Sequence, residues 1–260
     1  MTHAEAVFSE VWAQRPNGVT SLDARLKIAF TAIALVINLL SPSIYTPIAI
    51  AAFCLVTLLA IRVPPGLLRL RLAMPLVMAA VVLITQIFFY GATPLFTIPV
   101  WGWQLVGYAE GLAHGVLIMG RVVAGVSLVL FLSLSTPANQ LLLAAGWFRV
   151  PRTFTELALL VYRYIFVLIE EAAAIRAAQR VRLGYRDWRQ GMRSLSTLGG
   201  SLIFRAYDRA ERVFAAMSAR GYTGAMPTSY RGGLGRRDRL AAAGLAGLLA
   251  AFYLAGRLLP

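Results

Sequence analysis

Two stretches decide the fold class: AMPLVMAAVVLITQIFFY, Ala73–Tyr90, and GLAHGVLIMGRVVAGVSLVLFLSL, Gly111–Leu134. The first has no charged residue and the second has one, Arg121. A helix needs about 20 mostly apolar residues to cross the hydrocarbon core of a bilayer. Both stretches therefore read as membrane spans. Working outward, three more runs have the same character. Ile28–Leu40 is free of charge and is ended by Ser41-Pro42, Ile44–Ile61 is stopped by Arg62 and Pro64-Pro65-Gly66, and Leu240–Leu254 forms a last, short span. Proline and glycine punctuate helices in this way. The segment between the two deciding stretches, Gly91–Tyr108, is uncharged and rich in Pro, Gly and Trp. It reads as a loop or re-entrant segment, with Trp101 and Trp103 at headgroup depth.

Composition agrees. The chain has 260 residues, 59% hydrophobic and only 14% charged, whereas soluble domains carry roughly 25% charged residues. The formal net charge of +14 rests almost wholly on arginine, Lys27 being the single lysine. A basic surface suits an acidic protein partner or anionic lipid, and in a membrane protein nucleic acid is the weakest of the choices. One cysteine, Cys54, excludes an internal disulfide and a CxxC metal site. The first twenty residues lack the apolar core of a cleavable leader, so the first hydrophobic helix is expected to do the targeting.

Orientation follows from where the cations fall. Arg15, Arg25 and Lys27 precede the first span, and Arg62, Arg69 and Arg71 separate the second from the third. No Lys or Arg lies between the third and fourth, and a long arginine-rich block, Arg149–Arg239, follows the fourth. The positive-inside rule then places the N-terminus and the basic block on the cytoplasmic side of the membrane. The expected architecture is all-α: about five transmembrane helices, in N-terminal (1–137) and C-terminal (239–260) parts, around a cytoplasmic domain over 138–238.

Within the basic block apolar residues persist between the arginines, the mark of amphipathic helices. Glu156–Arg182 is one long helix, its apolar part Leu157–Ile169 lying in-plane or in the protein interior. Leu195, Leu198, Leu202, Ala206, Val213 and Met217 stripe a second helix, ended by Gly221, Gly224 and Pro227, with a flexible joint at Gly232-Gly233 and Gly235. Alanines 172, 173, 174, 177 and 178 on one helix, and 210, 215 and 216 on the other, suit a close crossing or reflect helix propensity alone. Two helix ends look alike: Ala178-Gln179-Arg180-Val181-Arg182-Leu183-Gly184-Tyr185 and Ala216-Met217-Ser218-Ala219-Arg220-Gly221-Tyr222. Each sets an arginine just before a glycine and an aromatic residue. The glycine ends the helix through a left-handed turn, and the arginine complements the negative helix end with its fork free for a partner carboxylate. Read plainly they are two C-caps. Read together they are a paired docking device.

Other chemistries find little support. There is no GxxxxGK[ST] loop, so ATP is not expected to bind this chain, and HExxH is absent. His3 and His114 are far apart in sequence, and Glu110 is the one candidate partner for His114. Arg121 is either a bundle contact or a functional intramembrane charge. A solo permease needs polar groups at mid-membrane depth, and a membrane enzyme needs a metal set, an acid pair or a nucleophile with its base. A lipid-surface scaffold would use the arginines on headgroups.

These residues resemble the transmembrane T subunit of energy-coupling-factor transporters, closest to the CbiQ-like cobalt/nickel branch. The resemblance rests on Leu22-Asp23-Ala24-Arg25-Leu26-Lys27, Ser135-Thr136-Pro137, Tyr162-Arg163-Tyr164-Ile165, Arg180–Arg186 and Arg209-Ala210-Glu211-Arg212-Val213 through Tyr222. It implies two cytoplasmic coupling helices whose Ala-Arg-Gly-type ends dock into two ABC-type ATPase subunits. Ala219, Arg220 and Gly221 match the second signature unchanged. The first is degenerate, Val181 and Leu183 flanking Arg182 with Gly184 one place late, and Arg180 also sits there. Arg163, Glu211 and Arg212 would support the helices. The resemblance further implies a small substrate-binding membrane subunit, ATP and magnesium held by the ATPase and not by this chain, no nucleic acid, and cobalt ahead of nickel as cargo.

Overall fold

The computed structural model describes residues 20–100, 103–224 and 235–258. Arg15, Trp101, Pro227, Gly232 and Gly233 lie outside the described residues, and the Trp103 side chain does too. The described chain divides into two compact units, one of residues 20–141 with 235–258, the other of residues 142–224.

The first unit is a helical bundle with one hairpin. Its helices are α1 (Ala24–Leu40), α2 (Tyr45–Ala60), α3 (Pro65–Phe89), α4 (Ala109–Ser135) and α8 (Arg236–Leu258), and α5 (Ala138–Ala145) follows α4 across the boundary. Sequence chemistry sets the ends. The Asp23 carboxylate accepts the Arg25 N–H at 3.0 Å and caps α1. Pro65 opens α3 at a position where its missing N–H costs nothing. That start is eight residues earlier than the apolar run suggested, because Arg69 and Arg71 lie in the first two turns of the helix and not in a loop. By length and composition α3 and α4 can each cross a bilayer, both with mean hydropathy 2.3. α1 and α2 are shorter, at 17 and 16 residues.

The expected loop over Gly91–Tyr108 is instead largely an antiparallel hairpin, β1 (Pro94–Val100) with β2 (Trp103–Tyr108), in register from Val100↔Trp103 to Phe96↔Gly107. The β-branched and aromatic content of the segment favours strand, and pairing satisfies backbone groups that an uncharged loop would leave bare. Its prolines are tolerated because each strand of a two-stranded sheet is an edge.

Packing in the bundle is by close fit. Phe30 and Ala34 of α1, Ile50 and Cys54 of α2, Ala124, Leu128 and Phe131 of α4, and Phe252 of α8 form the buried core. Phe30 meets Phe53 and Phe131 edge-on at 5.7 and 6.2 Å, a favoured aromatic geometry. α4 carries Gly111 and Gly115 four residues apart against α3. A Cβ on Gly111 would collide with the carbonyl oxygens of Gln86 and Tyr90, so the two backbones touch as in small-xxx-small membrane pairs.

Polar contacts fix which helix ends lie together. Lys27, 1% exposed, donates to the Ser135 carbonyl at 2.9 Å and to Thr20 O at 3.2 Å. Asp238 accepts the Asp23 N–H at 3.4 Å and the Gly235 N–H at 3.1 Å. Leu58, Ile61, Val63 and Leu68 cluster with Leu130 and Leu134. The starts of α1, α3 and α8 and the ends of α2 and α4 are thus at one end of the bundle. Arg25, Lys27, Arg62, Arg69, Arg71, Arg236, Arg237 and Arg239 belong to that end; towards the opposite end, where α1 finishes, the cations among the described residues are Arg121 and Arg257. Arg121, the charge inside α4, donates to the Ser41 carbonyl at 2.7 Å, and Asn38 donates to Arg121 O at 3.0 Å. It caps the end of α1, a bundle contact.

The second unit is a helix pair, α6 (Arg152–Val181) and α7 (Trp188–Ala219). Both helices appear where apolar periodicity predicts them, and Leu157–Ile169 lies inside α6. They run antiparallel. Glu171 receives Arg209 at 3.2 Å and Arg205 at 3.9 Å, and Gln179 donates to Ser194 O at 2.9 Å. Most of the alanines do not make this contact: Ala173, Ala174, Ala177, Ala178, Ala210, Ala215 and Ala216 are exposed, and Ala172 alone of the set is partly covered, so helix propensity accounts for the exposed ones.

Candidate functional site: two matched helix ends

The two similar segments end their helices with the same backbone device. At the end of α6, Leu183 N–H bonds Arg180 O at 3.0 Å and Gly184 N–H bonds Gln179 O at 2.8 Å. At the end of α7, Gly221 N–H bonds Ser218 O at 3.0 Å and Tyr222 N–H bonds Met217 O at 3.1 Å. Each is a Schellman pair, the penultimate residue bonding back three places and the last five. Superposed by this pattern, Arg182 matches Arg220 as the helix cap, with φ/ψ of −85/15° and −92/10°. Val181 matches Ala219, Leu183 matches Gly221, and Gly184 matches Tyr222.

The degenerate first signature now has a physical reading. The left-handed residue is Leu183, at φ +57°, and not Gly184; its counterpart Gly221 is at φ +83°. Gly184 serves a different need. A Cβ there would lie 2.6 Å from Ser194 Oγ and 3.0 Å from Gln179 O. Ser194 Oγ donates to Gly184 O at 2.8 Å, and Tyr185 OH donates to Gln179 Oε1 at 2.8 Å. With the Gln179–Ser194 bond these contacts brace the first end against the start of α7. The second end has open space around Gly221. Gln179 and Tyr185 belong to the quoted helix-end motif, but Ser194 does not, and the bracing bonds of all three join residues 6 to 15 places apart.

Arg180, Arg182, Ala219, Arg220 and Gly221 are exposed, and Gly184 is partly covered. Among the described residues none of Arg180, Arg182 and Arg220 makes an ion pair, so their forks are free. Arg163, Glu211 and Arg212 are exposed along the helices, and the structure does not bring them together. The contact that joins the helices uses Glu171 and Arg209, with Arg209 also over the Tyr164 ring at 5.7 Å. The antiparallel run puts Arg182 and Arg220 at opposite ends of α7. Its 32 residues span roughly 48 Å at 1.5 Å each.

Between the first half of α6 and the last half of α7 lies a groove of about 680 Å³ lined by apolar side chains, among them Leu157, Leu160, Val161, Val213 and Met217. Among the described residues no three His, Cys, Asp or Glu side chains gather.

Residues 17–230 match the family model described as CbiQ, cobalt transport protein. A cobalt transport protein CbiQ of Rhodobacter capsulatus is 34% identical over 219 residues, covering 83% of this chain and 82% of that one. An uncharacterized protein of Methanocaldococcus jannaschii is 31% identical over 209 residues, 80% and 78% of the two chains. A putative fused cobalt transport protein CbiMQ of Methanocorpusculum labreanum is 35% identical over 210 residues, 79% of this chain but 35% of that longer one. With its apolar helices, this makes the chain a membrane component of a transport system, and it belongs to the CbiQ family of cobalt transport proteins.

Proposed function

We propose that this chain is the coupling subunit of an ATP-driven cobalt uptake transporter, carrying movement from two ABC-type ATPase subunits to a separate substrate-binding membrane subunit. One observation carries the reading: a single backbone cap, used twice, presents a free arginine at each end of a long helix pair. A cap alone needs no exposed fork at both sites. Two forks held tens of ångströms apart suit two separate acidic grooves, one on each ATPase. Each fork–carboxylate bond would contribute about 1.5–3 kcal/mol.

In this account the bundle has five spans, over 1–137 and 239–260, with the coupling domain at 138–238. Its basic end faces the cytoplasm, because eight cations at one end against two, Arg121 and Arg257, towards the other is the asymmetry the positive-inside rule describes. ATP and magnesium are held by the ATPases. Closing of the ATPase dimer shifts the grooves, and the caps shift with them. α6 and α7, joined by the Glu171–Arg209 pair, slide or tilt as levers, and the substrate subunit reorients. The apolar groove between them is a surface for that subunit, and the fused relative, whose name joins CbiM to CbiQ, supports such a neighbour.

The test is affinity purification of this chain from its own membrane. The reading expects an ABC-type ATPase and a small membrane protein to come with it, and Arg182→Ala/Arg220→Ala to lose the ATPase. Recovery of the chain alone in mild detergent would turn the reading to a solo permease.

A further inference from the structure

Arg182 does not stand alone. It lines a cleft of about 530 Å³ together with Arg186 and Arg193, and with the polar side chains of Gln179, Gln190 and Ser194. Arg186 follows the turn, and Arg193 comes from the second turn of α7, so the cleft is made by both helices. All three arginines are exposed, and among the described residues none is in an ion pair. The local charge is lopsided. Residues 176–197 hold six arginines and one acid, Asp187, whereas residues 205–224 hold four arginines and two acids, Asp208 and Glu211. The walls of the cleft are also fixed, by the Gln179–Ser194 and Ser194–Gly184 bonds.

We infer that the two docking ends are unequal: the α6–α7 turn is a three-arginine anchor that takes an acidic segment of the ATPase with at least two carboxylates, Arg186 and Arg193 being binding residues beside Arg182. This rests on the coupling role proposed above. An acidic protein surface fits better than lipid headgroups for two reasons. The cleft is continuous with the docking arginine itself. Its braced walls are preorganised for a partner of fixed shape, which is where preorganisation lowers the cost of binding. Arg220, at an end of low local charge, is a single contact. The two ends then differ in salt dependence, because each additional exposed ion pair is screened as ionic strength rises.

The experiment uses the whole complex, immobilised through this chain and washed at rising sodium chloride. Arg186→Ala/Arg193→Ala is compared with Arg189→Ala, which removes a neighbouring charge that does not line the cleft. Thermal melting of each variant checks that the helices are intact. The double variant is expected to retain the ATPase about tenfold or more less well, while Arg189→Ala behaves as wild type. Equal retention by the double variant and Arg189→Ala overturns the inference. So does unchanged ATPase retention with loss of binding to phosphatidylglycerol vesicles, which assigns the cleft to headgroups. If even Arg182→Ala/Arg220→Ala retains the ATPase as fully as wild type and takes up cobalt normally, the coupling role fails instead, a result separable from the other two.

Discussion

Leu183→Gly should stabilise the end of α6, and Gly184→Ala should damage it, the opposite of what a glycine-capped reading of Leu183-Gly184 expects. Leu183 holds φ +57°, and a non-glycine residue there costs roughly 1 kcal/mol relative to glycine. Its side chain is 64% exposed, so little burial is lost on truncation. Relief of about 1 kcal/mol slows local opening about fivefold. Gly184→Ala pushes a Cβ to within 2.6 Å of Ser194 Oγ and costs about 1–3 kcal/mol through overpacking and the loss of that hydrogen bond. Gly221→Ala lies between: it meets nothing within 4 Å, and its left-handed φ alone costs roughly 1 kcal/mol. Amide hydrogen exchange at Leu183, Gly184, Gly221 and Tyr222, whose N–H groups make the cap bonds, reads these effects locally. Faster exchange in Leu183→Gly together with unchanged exchange in Gly184→Ala would refute the assignment of Leu183 as the left-handed residue, and with it the matching of Arg182 to Arg220.

Lys27→Met leaves the buried Ser135 carbonyl without its donor and should lower stability by about 1–3 kcal/mol, read as an earlier thermal transition of the purified chain in detergent. Gly111→Ala should separate α3 from α4 at the Gln86 and Tyr90 carbonyls, costing about 1–3 kcal/mol; Gly125→Ala, with open space around it, serves as the neutral comparison in the same melt. Glu171→Gln removes a pair whose Arg209 partner is 34% exposed, so the cost should be no more than about 1 kcal/mol, seen as faster exchange in the middle of α6 and α7 without loss of the bundle.

The helices were legible because their signals are local. Apolar length marks α3 and α4, and the stripe from Leu195 to Met217 marks α7 with its repeat. The family-bearing ends were legible as well, since an arginine beside glycine and an aromatic residue is visible within seven positions. The hairpin was not, because Pro94, Pro99 and the glycines of Gly91–Tyr108 outweigh a strand pattern that only pairing reveals. The cap at Leu183 was hidden for a related reason. Glycine is the usual left-handed residue, so Gly184 drew the assignment, although its role is to let Ser194 approach. The Gly111–Gly115 spacing was present in the sequence and would have signalled the α3–α4 contact had small residues been sought at that interval. Glu171 and Ser194 carry no local signal, since each matters through a partner on the other helix.

The central claim, that these helix ends couple ATP hydrolysis to uptake, is tested most directly by measuring both in the same proteoliposomes. The whole complex carrying Arg182→Ala/Arg220→Ala is compared with wild type for cobalt accumulated per ATP hydrolysed. The account predicts that uptake collapses while any ATPase still bound goes on hydrolysing, so the ratio falls by at least about tenfold. An unchanged ratio with normal uptake would contradict it.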